Sequence, residues 1–545
     1  MSTTPVLPVM ADGTLPPLPF LVHWLALVAN RPASGVRIER LPPGNGSLPD
    51  LLASAGVQVV HLGRNPIGRP FRWEGWSGAR VLVDATQADD ALALHHGELP
   101  WSACEGPIDP AVTGLIDLAR LEDANAASRG AAAGHGAAWD HLLNAFHPDA
   151  NVQPPRAPPL AGHGAALADG RLGAWNPLPI ARRALVALPA QRGTAPWGLV
   201  DQRGGRHPVQ VVEGPIGREL LTSVALGALE AVTFEPLDDP VAGGHWEVSR
   251  TVIDNGHVRA ELDPLGQVVR LCCDGRFVDW SGPALQALVD DLPLAGQTTT
   301  TVLEDGPIRG RVAVTRVSER GTLHLTYTVH AHEPVLRVAV TWDGDGEVRL
   351  LCPTVVRADR LQVGGELAGW SVPQHADAAR APMAPISGLR WARLAEHDRR
   401  GLAVLGLRPM TISAHAGRLF LHVDRIANVA LCESAWPHPS PAIGHLALCL
   451  SAPARAAATA IPPAMRLVGN EVVPWWITRP AGWQGELQLG QQLLQRGRCV
   501  LFVPDSHEAV RCNPKGGSSP LRRTADGDGF EIDLAPGELA TIRWR

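Results

Sequence analysis

The stretch "RGRVAVTRVSERGTLHLTYTVHAHEPVLRVAVTW" at residues 309–342 decides the fold. Its three runs, "RGRVAVTRV", "TLHLTYTVHA" and "VLRVAVTW", are short and alternating or β-branched, and glycine or proline stands in the segments between them. A period of two sends one face of each run into a core and the other towards water, which is the pattern of strands. The same grammar, with "RLFLHVD" at 418–424 as a further instance, recurs from about residue 173 to the end between Gly, Asp and Pro turns. Stacked antiparallel sheets follow, and the chain is expected to be mainly β and multidomain.

Upstream the grammar changes. "LPDLLASAGVQVVHLG" at 48–63 reads as a helix, a turn at Gly56 and a strand, so the first hundred residues carry a reduced α/β fragment. Residues 111–147 are rich in alanine and leucine, and Asp140, Asn144 and His147 stand at i, i+4 and i+7, on one helical face that Pro148 ends. "NVQPPRAPPLAGHG" at 151–164 has the composition of a linker. Breaks in composition near Gly243 and Pro463 divide the β half. The units are therefore an α/β remnant at 1–100, a short helical segment and linker at 101–165, a small β domain at 166–243, a large β unit at 244–464 and a C-terminal sandwich at 465–545. No repeat of fixed period accompanies them.

The length of 545 residues fits this division, at roughly 100–200 residues per domain. A net charge of -6 with Lys515 as the only lysine provides no field for a phosphate backbone, so nucleic acid is not an expected partner. The eight cysteines lack CxxC spacing and sit mostly in apolar runs, which reads as buried thiols and not as a disulfide frame. The apolar run "FLVHWLALVA" at 20–29 is interrupted by His23, is far below spanning length and follows no basic region, so a cytoplasmic protein without a membrane segment is expected.

Several segments, in order, resemble glycoside hydrolase family 38, the zinc-dependent retaining α-mannosidases. "FRWEGWSGARVL" at 71–82 resembles the family's WEG-x-x-G-x-x-VL segment, "AWDHLLNAFHPDA" at 138–150 its helix ending in "NQFHD", and "AWNPLPIARRALVAL" at 174–188 the start of its first β domain. "VIDNGHVRAELDPLGQVVRL" at 252–271, "VLEDGPIRGRVAVTR" at 302–316, "LRWARLAEHDRRGLAVLGL" at 389–407 and the closing "FEIDLAPGELATIRWR" continue the likeness through the β half. The resemblance implies a β-supersandwich of the galactose mutarotase-like kind, flanked by smaller β-sandwiches. It also makes His147 the match of a zinc ligand.

The departures are as informative. The "HxHxD" that gives the family two zinc ligands is absent, and in "RLPPGNGSLPDLLASAGVQ" at 40–58 Pro43 or Gly44 falls where the nucleophilic aspartate should stand. A closed β/α barrel takes about 250 residues, whereas about 165 precede the β half, so an incomplete barrel is expected. Retaining hydrolysis needs two carboxyl groups roughly 5 Å apart. Glu74, Asp84, Glu98, Glu105 and Asp109 are carboxylates of the right type, but surface carboxylates far outnumber catalytic ones, and no catalytic residue is assigned. A zinc at His147 would need partners, for which His23, His61, His95 and His96 are the candidate imidazoles. Trp73 with Trp76, and Trp475 and Trp476 with Trp483, could stack on sugar, but packing is the favoured reading.

The expected function is that of a degenerate, non-catalytic relative of α-mannosidase that binds a mannoside-type carbohydrate or supports a partner glycosidase, alone or as a homo-oligomer. No resident cofactor is expected and His147 reads as a vestige. The alternatives are an active glycosidase with a rebuilt zinc site near His147, and a structural assembly subunit.

Overall fold

The computed structural model describes, with short interruptions, residues 35–96, 165–433 and 466–545. Seven sheets supply nearly all the regular structure of these residues. The first contains β1 (Gly35–Ile38), β2 (Val59–Leu62), β3 (Phe71–Glu74), β4 (Arg80–Val83) and β5 (Leu94–His96), in the order β1-β2-β4-β3-β5. β1, β2 and β4 run parallel, while β3 runs antiparallel to β4 and parallel to β5. The helix between β1 and β2, α1 (Leu48–Ser54), buries Leu48, Leu51 and Leu52, the i, i+3, i+4 stripe of a helix laid on a sheet. Helix and strand thus appear where "LPDLLASAGVQVVHLG" places them. Among the described residues no strand joins β1 to β5, so this sheet is open and not a barrel. The helical segment expected at 101–165 lies outside the described residues, apart from its last residue, Ala165, which belongs to a strand.

The small β region pairs a five-stranded with a three-stranded sheet, and Leu172, Val186, Leu220 and Phe234 meet between them. Next comes the supersandwich. A five-stranded sheet of residues 247–278 faces a thirteen-stranded sheet of residues 286–433, and one apolar core runs through both. The alternation that opens the sequence reading is the cause: in Arg309–Ser318, Val312 and Val314 point inwards while Arg311, Ala313 and Thr315 point out. Two sheets with such faces bury them against each other.

Two of the shared sequence motifs turn out to be joints. In "ELDPLGQ", Asp263 accepts the Leu265 and Gln267 N–H groups at 2.9 and 2.8 Å, which folds a tight turn closed by Gly266 at φ 70°. The turn reaches the large sheet, where the buried Tyr327 hydroxyl donates to Gly266 O at 2.8 Å and Arg316 donates to Leu294 O at 3.1 Å and to Leu265 O. In "EDGPIR", the Gln210 side chain of the small β region reads the backbone. It accepts the Ile308 and Arg309 N–H groups at 3.1 and 2.7 Å and donates to Arg309 O at 2.9 Å. Glu304 clamps Arg309 at 2.6 Å beside this contact.

The C-terminal residues form a four-stranded and a five-stranded sheet, and the closing motif contributes Gly529–Leu534 to the first and Leu539–Trp544 to the second. All cysteines among the described residues are free thiols, with Cys273, Cys352, Cys432 and Cys499 buried. No helix among the described residues is long and apolar enough to cross a membrane.

Candidate functional site

Parallel strands leave their ligands at the carboxyl edge, and here that edge is the end of β1, β2 and β4. Asp84 follows β4 with a left-handed φ of 52°. Its Oδ1 accepts the Leu62 N–H at 3.0 Å, its Oδ2 accepts the Asn65 side-chain amide at 2.8 Å, and His61 Nδ1 stands 3.9 Å away. Asn65 is itself pinned, accepting from Ile67 N–H at 2.9 Å and donating to Arg69 O at 3.0 Å. Both carboxylate oxygens therefore face donors of their own chain, an arrangement that ties β2 to β4.

The "WEG" carboxylate is engaged in a similar way. Glu74 pairs with Arg80, which stands directly opposite it in the antiparallel register of β3 and β4. Trp73 is fully buried, as the packing reading requires. Gly75 is small for a reason: a Cβ there would lie 2.3 Å from Oδ2 of the buried Asp50 on α1, whose Oδ1 accepts the Ala79 N–H at 3.2 Å. The motif thus fastens the helix to the hairpin.

Of the histidines proposed as metal partners, the two whose side chains are described, His61 and His95, do not meet. His61 is on β2 and His95 on β5, three strand positions apart, or about 14 Å at the usual strand spacing. His95 sits edge-on to Phe71 at 6.1 Å between ring centroids, which is a packing contact. His147, His23, Asp140, Asn144, Pro43, Gly44, Trp76, Glu98, Glu105 and Asp109 lie outside the described residues, as do the side chains of His96, Trp475 and Trp476. Trp483 lies under the Arg545 guanidinium at 5.2 Å.

Among the described residues the structure brings together one metal-type donor set that the sequence reading did not single out. His245, Glu247 and Asp254 hold ligand atoms within 4.8 Å of one another at the entry to the supersandwich. One imidazole and two carboxylates are a zinc-like set. The space is already charged, however: Arg259 Nη1 lies 3.0 Å from Asp254 Oδ2 and 3.1 Å from Glu247 Oε2, and the hydrogen bond to Asp254 raises its pKa further. A metal would have to expel a guanidinium shared by both carboxylates, so these residues do not fit a resident zinc. The signal was the polar alternation of "HWEVSRTVIDNGHVRAE", but only the pairing of strands places its members side by side.

Two further ionic groups are structural. Asp201, although burial pushes its carboxyl up, is held down to about 2 by His207, by the Gly205 and Arg203 N–H groups and by the Arg203 guanidinium. Glu333 is likewise held at about 2 against burial by Arg337 and His330. His330 is kept below its ordinary pKa by burial, with Arg337 adding to the effect.

No family model matches the chain, and no curated protein does. Solved structures match it along nearly its whole length. A protein in the glycosyl hydrolase family 38 from Enterococcus faecalis is 11% identical, with 99% of this chain and 90% of that one covered at a TM-score of 0.67. An alpha-mannosidase from Enterococcus faecalis V583 is also 11% identical, with 98% and 90% covered at a TM-score of 0.68. The chain has the family 38 fold. At that identity the likeness is one of architecture. In this chain "ELDPLG" joins the two sheets of the supersandwich, "EDGPIR" is where the small β region meets it, and "WEG" is where α1 meets its sheet.

Proposed function

We propose that this family 38-like protein binds a mannoside-type carbohydrate and does not hydrolyse glycosides by the two-carboxylate, zinc-assisted route. One observation carries the reading: among the described residues of the N-terminal sheet and its helix, the carboxylates Glu39, Asp50, Glu74 and Asp84 are each engaged by backbone N–H groups or by arginine. Double displacement needs one free carboxylate to attack and a second to donate a proton. The sequence adds Pro43 or Gly44 at the position of the attacking group and no "HxHxD" to hold the metal. On this reading the protein works in the cytoplasm, as a homo-oligomer or beside a partner glycosidase, and its net charge of -6 keeps it from nucleic acid.

Isothermal titration with methyl α-mannoside, run beside an assay of mannose release with and without added zinc, tests the proposal. Saturable binding without turnover supports it. Zinc-dependent release of mannose overturns it in favour of an active glycosidase with a rebuilt site near His147, which the likeness of "AWDHLLNAFHPDA" to a zinc-binding helix favours. That second reading requires one zinc per purified chain, lost in His147→Ala. Absence of sugar affinity together with a stable complex in size-exclusion chromatography would instead make the chain an assembly subunit.

A further inference from the structure

Three side chains on the large sheet stand in the order acid, base, nucleophile. Ser413 is in the strand Gly401–His415, His422 is in the neighbouring strand Arg418–Val423, and Glu347 directly precedes the next strand, Val348–Pro353. Thr411 and Arg349 are the partners opposite His422 on its two sides. Ser413 and Glu347 are therefore its diagonal neighbours on the same face, within reach of a long side chain. The Ser413 hydroxyl donates to His422 Nε2 at 2.7 Å, and His422 Nδ1 donates to Glu347 Oε1.

The tautomer follows from the chemistry. A carboxylate on Nδ1 keeps the proton there, so Nε2 presents its lone pair to the serine hydroxyl, the relation that turns a weak nucleophile into a strong one. Burial keeps the imidazole below its ordinary pKa although Glu347 pulls the other way, so it is neutral and able to accept a proton near pH 7. Arg349 stands opposite His422, is paired with Asp291, and lies with its guanidinium 5.4 Å from the ring centroid of Phe420, the cross-strand partner of Ser413.

We propose that Ser413, His422 and Glu347 form an acyl-transfer triad for small carboxylic esters. Ser413 Oγ would bond to the ester carbonyl carbon as its proton passes to His422 Nε2. The bond to the leaving alkoxide then breaks, and that alkoxide takes the proton. Water repeats the sequence on the acyl-serine and releases the carboxylic acid. Ser413 is only 5% exposed, so the small acetyl group is the class to test. The proposal does not rest on the carbohydrate reading.

The test uses the full chain with a fluorophosphonate probe and with p-nitrophenyl acetate. The probe is expected on Ser413 by peptide mapping, and absent from that peptide in His422→Gln. Acetate release is expected to fall at least about 100-fold in Ser413→Ala, with Glu347→Gln lowering kcat more than KM. Ser413→Cys guards against a folding loss: alkylation of its thiol that slows in the added His422→Gln supports the triad. A hydrogen-bonded chain of purely structural purpose would leave Ser413 unlabelled, the Ser413→Ala rate unchanged and the thiol indifferent to the imidazole, and any of these results overturns the proposal.

Discussion

The hydroxyl of Tyr327, the only tyrosine, is fully enclosed: burial pushes the phenol pKa up, and the hydroxyl donates to Gly266 O. Tyr327→Phe removes the donor but leaves the carbonyl buried, and should cost about 1–3 kcal/mol in urea unfolding. Asp84→Ala similarly strands the Leu62 N–H and the Asn65 amide. It is expected to lose about 1–3 kcal/mol with no change in mannoside affinity, and calorimetry at a temperature well below melting separates the two effects. Acid acts at this scale as well. Asp201 and Glu333 have folded pKa values depressed to about 2 from 3.8 and 4.5, so the stability they contribute is complete above those ordinary values and drains away as pH falls towards 2. Unfolding free energy measured from pH 6 to pH 2.5 should show that loss, and Asp201→Asn and Glu333→Gln should each flatten the curve while lowering it at neutral pH.

Among elements, the docking turns matter more than the strands they join. Gly266 holds a φ of 70°, and a Cβ on it would stand 2.4 Å from Val314 Cγ1. Gly266→Ala meets backbone strain and a clash in a packed core together, and should cost at least about 2 kcal/mol by chemical denaturation. Period-two alternation makes these strands legible in the sequence, because each side chain's face is decided locally. The same holds for α1, whose leucines mark a helical stripe, and for Trp73. What alternation cannot show is which strand lies beside which. Glu247 and Asp254 stay unrelated polar residues until an antiparallel register sets them opposite one another, and Ser413 finds His422 only through its diagonal across a ladder. His147 was readable as a candidate through its likeness to a ligand-bearing helix, yet a ligand is defined by its partners, and helical spacing supplied two polar residues and no second imidazole.

At the scale of the molecule, the supersandwich has a single core whose buried members run from Ile253 to Cys432. Buried apolar area contributes roughly 25 cal/mol per Å², and here both inner faces come from one continuous stretch of chain. Residues 244–464 expressed alone should therefore fold and melt in one transition by circular dichroism, and failure to do so would place the unit boundaries elsewhere. The N-terminal sheet is different, being open at both edges among the described residues and fastened through Gly75, Asp50 and Asp84.

Arg259 bears on the environment the protein tolerates. Its positive group is tethered to the backbone and stays protonated at any physiological pH, so the mouth of the supersandwich carries a counterion that cannot diffuse away. A counterion held in this way is not lost to dilution.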